Sequence, residues 1–160
     1  MPAPEQQQQL DIKVVPVKNQ GDFAAALAIR EVVFIEEQSV PVELERDDED
    51  PTAFHVIAFA RGHAVATGRL IEMAAPPAGE SGRWAQIGRM AVLAAQRKRG
   101  VGARVLSALE AEARRRGIAG VMVHSQVHAR GFYEREGYVA LGPVFVEAGM
   151  PHVEMHKRLA

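Results

Sequence analysis

Arg97-Lys98-Arg99-Gly100-Val101-Gly102 sets three cations beside two glycines, a combination suited to holding an anion. The segment from Gln86 to Leu93 reads as a strand, and the run after Gly100 reads as an amphipathic helix. A strand that feeds a helix through a short turn leaves the first helical N–H groups without intrahelical partners. They stand at the positive end of the helix dipole, where phosphate oxygens are stabilised. Gly100 and Gly102 carry no Cβ, so the backbone can approach an anion closely. Two better-known phosphate patterns are excluded. No G-x-x-x-x-G-K-[ST] is present. Gly100-Val101-Gly102-Ala103-Arg104-Val105 lacks the third Gly or Ala of the dinucleotide fingerprint. What remains is R-x-x-G-x-G at Arg97, Gly100 and Gly102, which by itself is equally a plain basic turn.

Composition narrows the rest. The 160 residues are 48% hydrophobic and 24% charged, the size and make-up of one α/β domain. A formal charge of −1 argues against a nucleic-acid partner. There is no cysteine, hence no disulfide, thiolate metal site or cysteine nucleophile. The six histidines show no H-E-x-x-H spacing or other metal signature. No apolar run reaches the roughly 18 residues of a membrane helix, and no secretory signal is visible. A cytoplasmic protein with no membrane partner is the expectation.

The elements that must position the basic turn follow from periodicity. Residues 1–10, with a Gln6–Gln9 run, read as a flexible tail, and residues 11–160 as a single domain. Ile12 to Val17 reads as a strand. Asp22 can cap a helix whose Phe23, Leu27, Ile29, Val33 and Phe34 form one buried face. Ser39 to Pro51 reads as a loop. Its acids Glu43, Glu45, Asp47, Asp48, Glu49 and Asp50 read either as a solvated surface or as a lip drawing in a cationic amine. Phe54–Ala60 and His63–Ile71 form a hairpin across Arg61-Gly62. Gly100 to Arg116 is a helix with the stripe Val101, Val105, Leu106, Leu109 and Ala113, closed by Gly117. Gly120–His124 is a strand and His128–Arg135 a short helix. Tyr138–Val146 and His152–Lys157 are two last strands around Ala148-Gly149.

Downstream of the basic turn lies Gln126-Val127-His128-Ala129-Arg130-Gly131-Phe132-Tyr133-Glu134-Arg135-Glu136-Gly137-Tyr138. Ala129, Phe132, Tyr133, Gly137 and Tyr138 match A-x-x-[FL]-Y-x-x-x-G-[FY]. With R-x-x-G-x-G upstream, in that order, the chain resembles the GNAT superfamily of acetyltransferases. Arg30–Gln38, Ser125–Ala129 and Glu147–Met155 sharpen the resemblance to its ElaA-like branch. It covers about Asp22 to Lys157. It implies the GNAT acyl-CoA-binding fold, a mixed twisted sheet of about six to seven strands with helices on both faces, parting between the fourth and fifth strands to admit acyl-CoA. Met90, Ala91 and Val92 would offer backbone groups to the pantetheine arm. Arg97, Lys98, Arg99, Gly100, Val101, Gly102 and Ala103 would hold the pyrophosphate, and Phe132 and Tyr133 would border the donor. Gln126 stands where many relatives have Asn.

The implied reaction moves an acetyl group from acetyl-CoA, as co-substrate, to a small amine, with no metal. The amine attacks the thioester directly, so no covalent enzyme intermediate is needed. Tyr133 is the natural acid toward the departing thiolate. The base is open among Glu37, His152, His128 or a chain of waters. His55 and His124 read as core or edge residues. Rival readings are a longer acyl donor, as in the related acyl-homoserine-lactone synthases, and a non-catalytic acyl-CoA sensor. Exposed strand edges near the C-terminus are compatible with a homodimer.

Overall fold

The computed structural model describes residues 11–159, so the tail expected over residues 1–10 lies outside it. Seven strands form one mixed sheet in the order β1-β2-β3-β4-β5-β7-β6. They are β1 (Ile12–Pro16), β2 (Phe54–Ala60), β3 (His63–Glu72), β4 (Trp84–Val92), β5 (Gly120–Gln126), β6 (Val139–Glu147) and β7 (Met150–Arg158). The helices are α1 (Gln20–Arg30), α2 (Val42–Glu45), α3 (Val101–Arg115) and α4 (Arg130–Arg135). Among the described residues the chain divides into two compact units. The first comprises the residues up to Arg69 together with Arg89–Leu109. The second comprises Leu70–Gly88 together with the residues from Glu110 on. No helix of the described residues is long and apolar enough to cross a membrane.

In the first unit β1 pairs antiparallel with β2, from Ile12↔Ala60 to Pro16↔Val56. Arg61 (φ 50°) and Gly62 (φ 81°) are both left-handed, the primed turn that suits the right-handed twist of a hairpin. Asn19, not Asp22, caps α1: its Oδ1 accepts from the Asp22 N–H at 2.8 Å. Asp22 instead lies in the first turn, where its charge suits the dipole. After Arg30 the chain runs on as a wider π-helical turn, Glu31–Glu37. The inward stripe keeps α-helical spacing but is offset from the expected face. Ala26, Ile29, Arg30 and Val33 are buried, while Phe23, Leu27 and Phe34 are only half-buried.

An arginine on that inward stripe changes the reading of the acidic segment. The expected loop from Ser39 to Pro51 contains the single turn α2; Glu43, Asp48 and Glu49 are exposed, as a solvated surface would be, but Glu45, Asp47 and Asp50 turn to arginines instead. Glu45 and Asp50 are buried. Arg30 Nε donates to Glu45 Oε1 at 2.5 Å, and Arg30 Nη1 to Asp50 Oδ1 at 2.7 Å. Arg69 on β3 donates to Asp47 and Asp50, each at 2.7 Å. Arg89 on β4 donates to the carbonyls of Glu45 (2.9 Å) and Leu44 (3.2 Å), and to Asp47 at 3.2 Å. A buried charge is tolerable only when paired and hydrogen-bonded: Asp47 and Asp50 each meet a fork of N–H groups, while the Glu45 carboxylate accepts through Oε1 alone and its Oε2 is left without a partner among the described residues.

In the second unit β4 and β5 run parallel from Trp84↔Gly120 to Ile87↔Val123, the last rung of that ladder. Gly120 is obligatory there, because a Cβ would stand 2.4 Å from the Trp84 ring. β5 pairs antiparallel with β7, and β7 with the end strand β6. Ala148 (φ 50°) and Gly149 (φ 76°) make the turn between the last two strands. The outer positions Val139, Leu141, Val144 and Val146 of β6 are exposed.

Burial alone would raise the Asp50 carboxyl, but the hydrogen bonds and charge of Arg30 hold it well below its ordinary 3.8. A carboxylate with a depressed folded pKa stabilises the fold above its unfolded pKa and loses that contribution as pH falls through the folded value. Stability should therefore decline from about pH 4 downward. Arg30→Ala leaves Glu45 buried without a guanidinium on its carboxylate and Asp50 with Arg69 alone, and should cost about 3–5 kcal/mol in urea unfolding at pH 7. A loss under about 1 kcal/mol would contradict the network's role.

Candidate active site

The basic turn has the predicted form. A single 3₁₀ turn, Ala94–Gln96, leads from β4 into Arg97. Lys98 (φ 63°) and Gly100 (φ 79°) are left-handed and swing the chain into α3. The backbone bond that closes the first turn of α3 runs from Arg104 N–H to Gly100 O at 3.2 Å. The N–H groups of Val101, Gly102 and Ala103 precede it and have no carbonyl four residues back within the helix. Val101 packs its side chain into the core, so only its N–H is on offer. No atom lies within 4 Å of where a Cβ on Gly100 would be, so the approach there is open.

Arg97 does not stand free. Its Nε donates to Val92 O at 2.9 Å, and its Nη2 to Glu37 Oε2 at 2.7 Å. The sequence reading gave Arg97 to the anion and Glu37 to the amine, and the first unit joins them in an ion pair. It also shows that the Val92 carbonyl, expected along the pantetheine wall, already has a donor. Ala91 is buried against Ile29 and Val33, with Phe34, Ala64 and Leu93 packed around them. Met90 points toward the α3 side. Its sulfur would lie 2.8 Å from a Cβ on Gly68, beside Val105 and Leu109 of α3.

The second unit holds the other candidates. Tyr133 is 7% exposed. Its ring meets Phe132 edge-on at 5.0 Å and Tyr138 at 5.5 Å. The Tyr138 hydroxyl donates to Glu110 Oε2 at 2.7 Å, while no described residue hydrogen-bonds the Tyr133 hydroxyl. Burial pushes the Tyr133 phenol well above its ordinary 10.0. His152 is buried on β7, directly across from Gln126 on β5. A carbonyl can only accept, so the 2.8 Å contact with Met150 O assigns the proton to His152 Nδ1. That leaves a lone pair on Nε2, which lies 3.8 Å from Glu147 Oε2. His128 is exposed in the 3₁₀ turn Val127–Ala129.

The family profile for the acetyltransferase (GNAT) domain matches residues 17–159. This chain belongs to the GNAT acetyltransferase family. The GNAT chain is 32% identical to the uncharacterized N-acetyltransferase YjcF of Bacillus subtilis, over 91% of this chain and 99% of that one. Its fold is similar to an acyl-CoA N-acyltransferase from Pseudomonas aeruginosa (TM-score 0.75, 28% identity), covering 91% of this chain and 99% of the other. It is also similar to ElaA of Escherichia coli (TM-score 0.77, 25% identity), with the same coverage. The ElaA-like branch read from the sequence is thereby supported.

Two features of this GNAT chain were missed in sequence. One is the role of Arg30, Arg69 and Arg89. The available signal was an arginine set among apolar neighbours, as in Leu27-Ala28-Ile29-Arg30 and Thr67-Gly68-Arg69-Leu70, where burial demands an acid partner. The other is His124. The imidazole lies between Glu147 (3.0 Å) and Glu154 (3.7 Å), and Glu154 also meets His156 at 2.7 Å.

The hydrogen bond that His124 donates to Glu147 raises the His124 pKa above 6.5 against the opposing effect of burial. A histidine raised in the fold adds stability below 6.5, and that contribution fades as pH rises through the folded value. Histidine NMR titration should place His124 above 6.5, and Glu147→Gln should bring it back toward that figure. A His124 midpoint unchanged by Glu147→Gln would contradict the assignment.

Proposed function

We propose that this protein is an acetyl-CoA-dependent N-acetyltransferase acting on a small primary amine. The observation that carries the reading is Tyr133, a buried phenol that keeps its proton and has no hydrogen-bond partner for its hydroxyl among the described residues. A module that only bound acyl-CoA would have no use for such a group. The residues of the basic turn fit a diphosphate: three N–H groups with no intrahelical partner at the start of α3, an open approach at Gly100, and the charges of Arg97, Lys98 and Arg99. On this reading the reaction runs in the cytoplasm, the compartment that supplies acyl-CoA.

When bound, acetyl-CoA supplies an activated acyl carbon on a sulfur leaving group. The neutral amine attacks that carbon; a C–N bond forms and the C–S bond breaks. A backbone N–H within Met90–Val92 supports the carbonyl oxygen as charge gathers on it. Gln126 offers its amide to the pantetheine arm. Tyr133 donates a hydrogen bond to the departing sulfur. An unperturbed thiol has a pKa of about 8.5, so a phenol raised above 10 holds its proton more tightly than the thiolate would. Tyr133 therefore acts chiefly by stabilising charge on sulfur, with net protonation completed from solvent. The amine's proton goes to His152 Nε2, the lone pair that its Met150 bond leaves available. Glu37 suits that step less well while Arg97 engages its carboxylate. With Glu45, Asp47 and Asp50 committed to arginines, the acidic segment no longer argues for a cationic acceptor.

Thiol release from acetyl-CoA over a panel of small amines, polyamines, aminosugars and peptides tests the reading. At least one amine should turn over. Tyr133→Phe keeps the ring packing and removes only the hydroxyl. It should lower kcat about 100-fold or more while leaving acetyl-CoA affinity unchanged. Tight acetyl-CoA binding with no turnover on any amine would favour the sensor reading instead.

A further inference from the structure

Arg97 and Glu37 lie 60 residues apart, yet their side chains meet at 2.7 Å at the surface of the first unit. The partner of each is what the other's proposed ligand would also seek. A diphosphate calls for the guanidinium, and an amine calls for the carboxylate. The guanidinium is also anchored through Nε to Val92 O, so it stays at the end of β4 whichever anion it holds. Glu37 ends the π-helical turn and Gln38 caps it, so the carboxylate hangs from the last helical residue rather than from a rigid core position. Both side chains are partly exposed, 41% and 32%, so the pair can part without opening the fold.

We infer that Arg97–Glu37 is a latch between donor and acceptor binding: the diphosphate of the donor takes Arg97, and the released Glu37 carboxylate becomes a binding group for the incoming amine. The inference rests on the proposed function. A phosphate carries more charge and more acceptor oxygens than a carboxylate and engages a guanidinium bidentately, so it wins the exchange. Once free, Glu37 has lost its counter-ion and attracts the N–H groups of a primary amine. Donor and amine then bind with positive coupling, which by linkage each must exert equally on the other. Arg97 is here a positioning residue for the acceptor as well as a contact for the donor. Glu37 is reassigned from proton acceptor to amine anchor.

In the absence of amine the latch makes Glu37 a competitor of the donor. An exposed ion pair of this kind is worth a few tenths to one kcal/mol, or about two- to five-fold in a binding constant. Acetyl-CoA binding is measured by calorimetry on the full chain in a double-mutant cycle of Glu37→Gln and Arg97→Gln. Glu37→Gln should tighten acetyl-CoA about two- to five-fold in the presence of Arg97 and leave it unchanged in the Arg97→Gln background. The same Glu37→Gln variant should raise the KM for the amine while kcat at saturating amine falls much less. Equal tightening in both backgrounds would show only the field of one negative charge, and no tightening would show no competition. Either result overturns the latch while leaving the acetyltransferase reading standing. A wild-type protein that does not bind acetyl-CoA overturns both.

Discussion

The first unit depends on a buried electrostatic knot. Arg30 from α1, Arg69 from β3 and Arg89 from β4 converge on Glu45, Asp47 and Asp50. The charges balance three against three, and the bonds reach backbone carbonyls as well as carboxylates. Pairs of this kind are poor sources of net stability, because desolvation offsets much of the attraction. What they confer is geometry. Arg89 has φ 51°, a left-handed conformation unusual for an arginine within a strand. Such a backbone costs of order 1–3 kcal/mol and persists only where its surroundings determine it. Three hydrogen bonds from the Arg89 side chain do so here. The distortion sits immediately before Met90, Ala91 and Val92, the residues assigned to the thioester wall.

The second unit solves a different problem with a similar device. Glu110 on α3 is buried and accepts from both Tyr138 and Lys157, at 2.7 and 2.9 Å. That arrangement fixes Tyr138, whose ring in turn packs edge-on against Tyr133. Tyr133 is thus held by aromatic packing on two sides while its hydroxyl is left unbonded. The two tyrosines differ in that the Tyr138 hydroxyl bonds Glu110, while no described residue bonds that of Tyr133. Burial makes Tyr133 a weaker acid than usual, which under the proposed function favours charge stabilisation over proton delivery.

What could be read in the sequence was local. The α3 stripe Val101, Val105, Leu106, Leu109 and Ala113 is buried throughout, because 3.6-residue periodicity needs no knowledge of a partner. The two tight turns, Arg61-Gly62 and Ala148-Gly149, were legible because positive φ has few residue solutions. The left-handed Gly100 and the turn into α3 followed from the same rule. What could not be read was tertiary. A carboxylate run looks the same whether it faces water or an arginine 42 residues away, as Asp47 faces Arg89. Asn19 and Asp22 are both competent caps, and only the entry of the chain decides between them. The π-helical turn after Arg30 has no sequence signature, and the buried face of α1 includes Arg30, whose acid partners lie 15 and 20 residues further on. Tyr133 and Tyr138 are indistinguishable until Glu110 is seen beside one of them. The Arg97–Glu37 pair joins two segments whose roles had been argued separately.

The central claim is that acyl-CoA lies against the end of β4 and the start of α3. Backbone hydrogen exchange, followed by mass spectrometry with and without acetyl-CoA, tests it directly. The account predicts slowed exchange at the amides of residues 90–92 and 97–103, with the N–H groups of Val101, Gly102 and Ala103 prominent because no helical carbonyl protects them in the free protein. Unchanged exchange across those residues under saturating acetyl-CoA, or protection concentrated elsewhere in the chain, would contradict it.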